Sequence, residues 1–193
     1  MLKAKIKEKI SAGTIELFKE EKEFAEKHQL ITEKSNVVEK SSNSRFTDAY
    51  IGRYDKETED VIAEESSTFL RQPIEYLKKH KNEFLYLESD WLDLIGVDAV
   101  SLELDDVFGT YGVLLGLKQK KKVEKSLKEN LTNVFQGDSL NYSLMFDGDE
   151  GLWNLNFALN FIVGFKEDIS IEEAYNLIYG MLFKLVETIE EAE

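Results

Sequence analysis

SLNYSLMFDGDEGLWNLNFALNFIVGFKEDISIEEAYNLIYGMLFKLVETIEEA, residues 139–192, sets two different hydrophobic periods one after the other. From Trp153 to Val163 every second residue is large and apolar (Trp153, Leu155, Phe157, Leu159, Phe161, Val163), with Asn154, Asn156, Ala158 and Asn160 between them. A period of two puts the apolar set on one face of a pleated strand. Leu140, Tyr142, Leu144 and Phe146 make a second alternating run, and Asp147-Gly-Asp-Glu-Gly151 supplies turn chemistry between the two. The spacing predicts a β-hairpin over about residues 139–163. Downstream, Ser170 with Glu173 three residues later is a capping box, and Ile171, Tyr175, Ile178, Leu182, Leu185 and Ile189 recur at helical spacing. An amphipathic helix over 170–191 therefore packs across the apolar face of the hairpin. The chain reads as α+β, built on a mainly antiparallel sheet with this hairpin at its centre.

Upstream, Val100, Leu102 and Leu104 alternate with Ser101 and Glu103, and Val113, Leu115 and Leu117 follow a Gly-containing turn. These form a second predicted hairpin over about 98–118. Lys118, Lys120, Lys121, Lys122, Lys125 and Lys128 decorate a helical stretch that ends before Gly137, which reads as a solvated face balancing an acidic body. From residue 98 the expected order is strand, strand, helix, strand, strand, helix. The first half reads as helical: a long helix over 2–31 on the stripe Ile6, Ile10, Leu17, Phe24, weakened at Gly13; a serine-rich loop over 35–48; a helix over about 57–70. Pro73, the only proline, suits the first turn of a further helix running to Leu87, and Asp90 suits the cap of a short turn through Trp91 and Leu94.

At 193 residues and 42% hydrophobic content the chain can bury one core, so a single domain is expected, with residues 1–45 as a helical N-terminal arm and 46–193 as the body. The absence of cysteine excludes a disulfide framework, a thiolate metal site and a cysteine nucleophile. It fits a reducing cytoplasm. Met1 to Ile10 alternates lysines with apolar residues and has neither a signal-peptide core nor a membrane-spanning length. Residues 1–45 carry ten basic and eight acidic side chains, whereas the rest carry fourteen and thirty, so the net charge of −14 belongs to the body. A field of that sign repels phosphate backbones and anionic membranes and favours basic protein partners.

No residue pattern selects a reaction. His28 and His80, the only histidines, each fall amid charged residues and have no evident partner for a metal site or a triad. Asp147 and Asp149 open like a calcium loop but lack the later ligands. Glu88, Asp90, Asp93, Asp98, Glu103, Asp105 and Asp106 are numerous, yet their spacing singles out no acid/base pair. Two features point instead to recognition. Asn154, Asn156 and Asn160 place amides about 7 Å apart along the non-apolar side of the last strand, where a peptide would find hydrogen-bond partners. The last helix is apolar nearly all round between Tyr175 and Val186, leaving Leu177, Met181 and Val186 to be covered by the N-terminal helix or by a second subunit.

Two resemblances extend this reading. The element order after residue 98 and the acidity resemble the small dimeric chaperones of bacterial type III secretion, with Phe146-Asp-Gly-Asp-Glu-Gly-Leu-Trp153 and the capped last helix as the best local part. That resemblance implies a cytoplasmic, cofactor-free, non-catalytic module that binds a protein partner, as a homodimer, through exposed apolar surface. Asp106-Val-Phe-Gly-Thr-Tyr-Gly-Val113 resembles a segment of branched-chain aminotransferases that helps to hold the phosphate of pyridoxal phosphate. It implies a pyridoxal-phosphate enzyme as the alternative, although Tyr111 and Gly112 stand where that family has glycine and its second threonine.

Overall fold

In the computed structural model, which describes residues 1–11, 15–32, 36–136 and 141–192, α1 (Leu2–Ser11) leads into a short parallel pair. The pair joins β1 (Ile15–Leu17) to β2 (Val37–Glu39), with α2 (Lys19–Lys27) between them. Seven further strands form one antiparallel sheet: β3 (Tyr50–Asp55), β4 (Val61–Glu65), β5 (Glu83–Glu88), β6 (Val97–Leu104), β7 (Tyr111–Leu117), β8 (Tyr142–Asp147) and β9 (Leu152–Ala158). Their spatial order is β4-β3-β5-β6-β7-β9-β8. Short helices α3 (Tyr76–Lys79) and α4 (Asp90–Leu94) flank β5; α5 (Glu124–Val134) and α6 (Ile171–Glu191) complete the fold.

Register explains why only one face of the sheet is buried. Ile51, Leu87, Val100, Leu115, Leu155 and Leu144 are successive cross-strand partners, and Leu85, Leu102, Val113, Phe157 and Tyr142 form the next row. Both rows lie on the same side, because residues of equal parity share a face. α6 crosses that side, where the Tyr175 hydroxyl donates to the Leu85 carbonyl at 3.3 Å. Beyond it Phe135, at the end of α5, stacks on Tyr142 and tilts against Phe157 at 5.8 Å. The capping box that starts α6 is complete: Ser170 Oγ accepts from the Glu173 amide at 3.2 Å, and Glu173 Oε2 accepts from the Ser170 amide at 2.8 Å.

The α+β class, both hairpins and the capped last helix are as the sequence reads, but several boundaries are not. The 139–163 hairpin lies at one edge of the sheet, and β6 is central. Residues 139 and 140 of that span fall outside the described residues, and β9 ends at Ala158, where a 3-10 turn over Leu159–Phe161 replaces the expected continuation to Val163. Gly112 with Ala158 is the last pair of the β7–β9 ladder, so beyond it the alternation has no strand to pair with. The expected helix over 57–70 is the edge strand β4 and a 3-10 turn, and the helix from Pro73 to Leu87 is the one-turn α3 followed by β5. Pro73 instead bridges Ser170, with Ile74 N–H and Ile171 N–H donating across at 2.9 Å each. The helix expected over 2–31 is two helices with β1 between; Gly13 falls outside the described residues.

The N-terminal segments share the core of the body. Leu2, Ile6, Leu17 and Phe24 are buried in the same apolar cluster as the sheet residues, and Phe24 meets Phe183 of α6 edge to face at 6.0 Å. Glu190, near the end of α6, accepts from the Leu2 amide at 2.5 Å and the Lys3 amide at 3.1 Å and pairs with the Met1 amino group at 3.0 Å. A carboxylate from the far end of the chain thus caps the unsatisfied N–H groups of α1. No helix among the described residues is long and apolar enough to cross a membrane.

Candidate interaction surfaces

Among the described residues, none forms a layer over the face of the sheet opposite α6. Of the side chains directed to it, Tyr50, Tyr54, Phe84, Tyr86, Ala99, Ser101, Glu103, Leu114, Asn154 and Ala158 are half-buried, and Glu88, Ser143, Met145 and Asn156 are exposed. None is fully buried. Its middle is paved with small residues, Ala99, Ser101, Gly112, Gly116 and Ala158, with Ser143 on the edge strand β8. Glu64, Glu88 and Glu103 are its strand charges; no lysine or arginine of these strands joins them, since Arg53 points to the other side between Glu65 and Glu83, but Lys56 just beyond β3 reaches Glu103 at 3.7 Å. The surface is flat, acidic and low enough for another backbone to approach closely.

Asn154 and Asn156 lie on this face, opposite Gly116 and Leu114 on one side and Met145 and Ser143 on the other. Asn160 does not join them. It sits in the 3-10 turn, where its side-chain oxygen accepts from the Tyr111 amide at 2.7 Å and its nitrogen donates to Glu167 at 3.3 Å. The amide at the start of β7 has lost its strand partner there, so Asn160 completes the ladder with a side chain.

Leu177 and Met181 line a second surface, a groove of about 510 Å³ between α5 and α6. Val134, Ile162 and Val163 form its apolar walls, and Val163 stands 81% exposed at the rim. Val186 is absent from it, being 1% exposed within the core. The helix stripe expected to need a partner is therefore covered in cis at Val186 and open at Leu177 and Met181.

A third feature was not legible in the sequence. On the open face, at the β3–β5 end, four rings converge: Tyr54 stacks on Phe84 at 5.2 Å, and Tyr86 meets Tyr54 at 5.7 Å and Tyr50 at 6.4 Å in edge contacts. They bound a recess of about 570 Å³ with Glu59, Glu88 and Ser101. Cross-strand register (Tyr54 opposite Phe84, Gly52 opposite Tyr86) brings the rings together, and that register depended on β5, which the sequence reading took for a helix, and on β3, over which it assigned no element.

The remaining candidates have structural partners. Asp106–Val113 is the tip of the β6–β7 hairpin, with Val107 84% and Phe108 79% exposed. The amides of Val107 and Phe108 donate to the Asp105 carboxylate at 2.8 and 3.0 Å, so the N–H groups a phosphate would need already hold an anion. The segment does not fit a pyridoxal-phosphate cradle. His80 stacks on Tyr76 and lies 3.3 Å from Glu83. His28, Glu187 and Glu191 bring three potential metal-ligand atoms within 4.8 Å of one another, but the Lys27 ammonium pairs with both carboxylates and occupies the charge-neutralising role. Asp147 accepts the amides of Asp149 and Glu150 in a solvated turn. Lys118 pairs with Asp98, and Lys128 and Lys125 pair along α5 with Glu124 and Glu129. Comparison with protein-family models, with curated proteins and with solved structures gives no match for this chain.

Proposed function

We propose that this chain is a non-catalytic interaction module, chaperone- or adaptor-like, that receives a basic protein partner on the open face of its seven-stranded sheet. The observation that carries the reading is that face itself: among the described residues no layer covers it, small residues pave much of it, and of its glutamates only Glu103 has a basic partner, Lys56 from the β3–β4 turn. Flat contact with low relief lets a partner backbone approach, while Asn154 and Asn156 offer amides for its polar groups. The charge of the body favours a cationic partner and makes the association salt-sensitive.

The test is capture by the tagged full chain from native lysate, comparing wild type with Leu114→Arg and Asn156→Arg on the open face and Met181→Lys in the groove. A partner bound by wild type and by Met181→Lys, lost from both open-face variants and weakened by salt is the expected result. Undiminished capture by folded open-face variants would remove the reading. A second copy is the occupant favoured for the α5–α6 groove, because exposed Val163 beside it offers each subunit an apolar plug for the other. Light scattering decides this: the dimer predicts twice the 22.3 kDa chain mass, falling to one chain mass in Met181→Lys.

A further inference from the structure

We propose that the recess bounded by Tyr50, Tyr54, Phe84 and Tyr86 is a binding site for an alkylated ammonium cation. Four of the side chains that line the recess are aromatic, and ring faces attract a cation through their quadrupole. Glu59 and Glu88 line the recess, and among the described residues no lysine or arginine does, Lys9, Lys40 and Arg45 lining the neighbouring hollow that shares Tyr50 and Glu88. Glu88 is held in place by the Tyr86 hydroxyl, which donates to it at 2.7 Å, and Tyr50 and Tyr54 are tied hydroxyl to hydroxyl at 3.0 Å. The rings are thus preorganised, which lowers the ordering cost of binding.

The chemical class follows from what the site leaves out. A primary ammonium carries three N–H donors and a tight hydration shell, and against four rings the lining offers it only the Glu59 and Glu88 carboxylates and the Ser101 hydroxyl beside the engaged Tyr50 and Tyr86 hydroxyls. An alkylated ammonium has few such donors or none, is weakly hydrated, and presents methyl groups to the rings. The phenols of Tyr50 and Tyr86 remain neutral at physiological pH: the hydrogen bond shared with Tyr54 and burial push Tyr50 up to about 12, and burial with the Glu88 contact also raises Tyr86. Gly52 is part of the construction, since a Cβ there would stand 2.4 Å from the Tyr54 ring. The rings also shield that glycine backbone, so the competing account is an apolar cover with no affinity for charge.

The inference does not depend on the protein partner proposed above, because the same cation occurs as a free small molecule and as a methylated lysine side chain. The full chain is titrated with choline, with its uncharged isostere 3,3-dimethylbutan-1-ol, and with a lysine peptide in trimethylated and unmethylated forms, following aromatic ring protons by NMR. Choline or the trimethylated peptide is expected to bind roughly tenfold more tightly than the uncharged isostere, and Tyr54→Leu to lose about the same factor. Glu88→Gln, at an exposed position outside the packing, provides a second variant and is expected to weaken the cation alone. Tighter binding of the trimethylated peptide than of choline assigns the source to a side chain, and the reverse to a free cation. Equal binding of choline and the isostere, or no saturable shift with any cation in folded protein, overturns the proposal.

Discussion

Arg45 is 1% exposed at its side chain, donates to Glu21 at 2.6 Å and to Glu20 at 2.5 Å, and lies with its guanidinium 3.8 Å over the Tyr179 ring and 4.2 Å over that of Phe18. Glu21 is fully buried and also accepts from the Tyr179 hydroxyl, which burial and the Glu21 charge hold protonated by raising its pKa well above the ordinary value. The pair ties α2 to α6 through one cation. Burying two charges is costly, and each is tolerated because the other is there. Arg45→Met should therefore lower stability by about 3–5 kcal/mol by stranding Glu21, whereas Glu21→Leu with Arg45→Met should recover most of that loss. Urea unfolding of the four proteins of the cycle checks this, and equal midpoints for the single and double variants would exclude pairing as the cause.

At the scale of the element, α6 depends on carboxylates at both ends of its length. Backbone and side-chain hydrogen bonds from Ser170 hold the Glu173 carboxyl below its usual range. Burial pushes Glu187 up, but hydrogen bonds from Lys27 and Lys184 outweigh it, and its pKa is lowered as well. A carboxyl depressed in the folded state contributes stability that is present above its unfolded pKa, near 4.5, and lost as pH falls through the lower folded value. Stability should thus hold from neutral pH to about 4.5 and decline below it. Ser170→Ala should cost about 1 kcal/mol at neutral pH and shallow the acid decline in part, since Glu173 loses the Ser170 hydroxyl but keeps the amide of residue 170. Urea midpoints between pH 7 and pH 3 test both; an unchanged acid slope in the variant would show that the capping box does not set it.

At the scale of the molecule, the two ends of the chain are clasped. Glu190 caps α1, Lys27 of α2 pairs with Glu187 and Glu191, and all of these lie in the last turns of α6. Glu190→Ala should free the first amides of α1 and raise hydrogen exchange there, while the β5–β7 amides keep their protection. Uniform acceleration across the sheet would mean instead that the clasp is part of the global folding unit. The same architecture separates two surfaces: helices and both termini to one side of the sheet, an acidic face with its aromatic recess to the other.

Local signals carried their meaning in the sequence itself. Ser170 and Glu173 are three residues apart and cap the helix whatever packs on it, and Tyr142–Phe146 with Trp153–Phe157 alternate because one side of that hairpin is buried and the other is not. Phe84-Leu-Tyr-Leu87 lost its period of two because aromatics fill the open side and leucines the core side, leaving an apolar run that reads equally as helix. Asp55-Lys-Glu-Thr-Glu-Asp60 looks like the start of a charged helix, yet the Asp55 carboxylate accepts the amides of Glu57 and Thr58, and Glu59 takes a φ of 60°, turning the chain back into β4. Asn156 was legible as a surface amide and Asn160 was not legible as a cap, because its partner Tyr111 is 49 residues away. The sequence by itself determined the class, the two hairpins, the capped helix and the acidic body, which rest on spacing between near neighbours in the chain or on composition alone. Only the tertiary structure decided the strand order, the open face and the convergence of Tyr50, Tyr54, Phe84 and Tyr86, because cross-strand register joins residues whose separation along the chain carries no period.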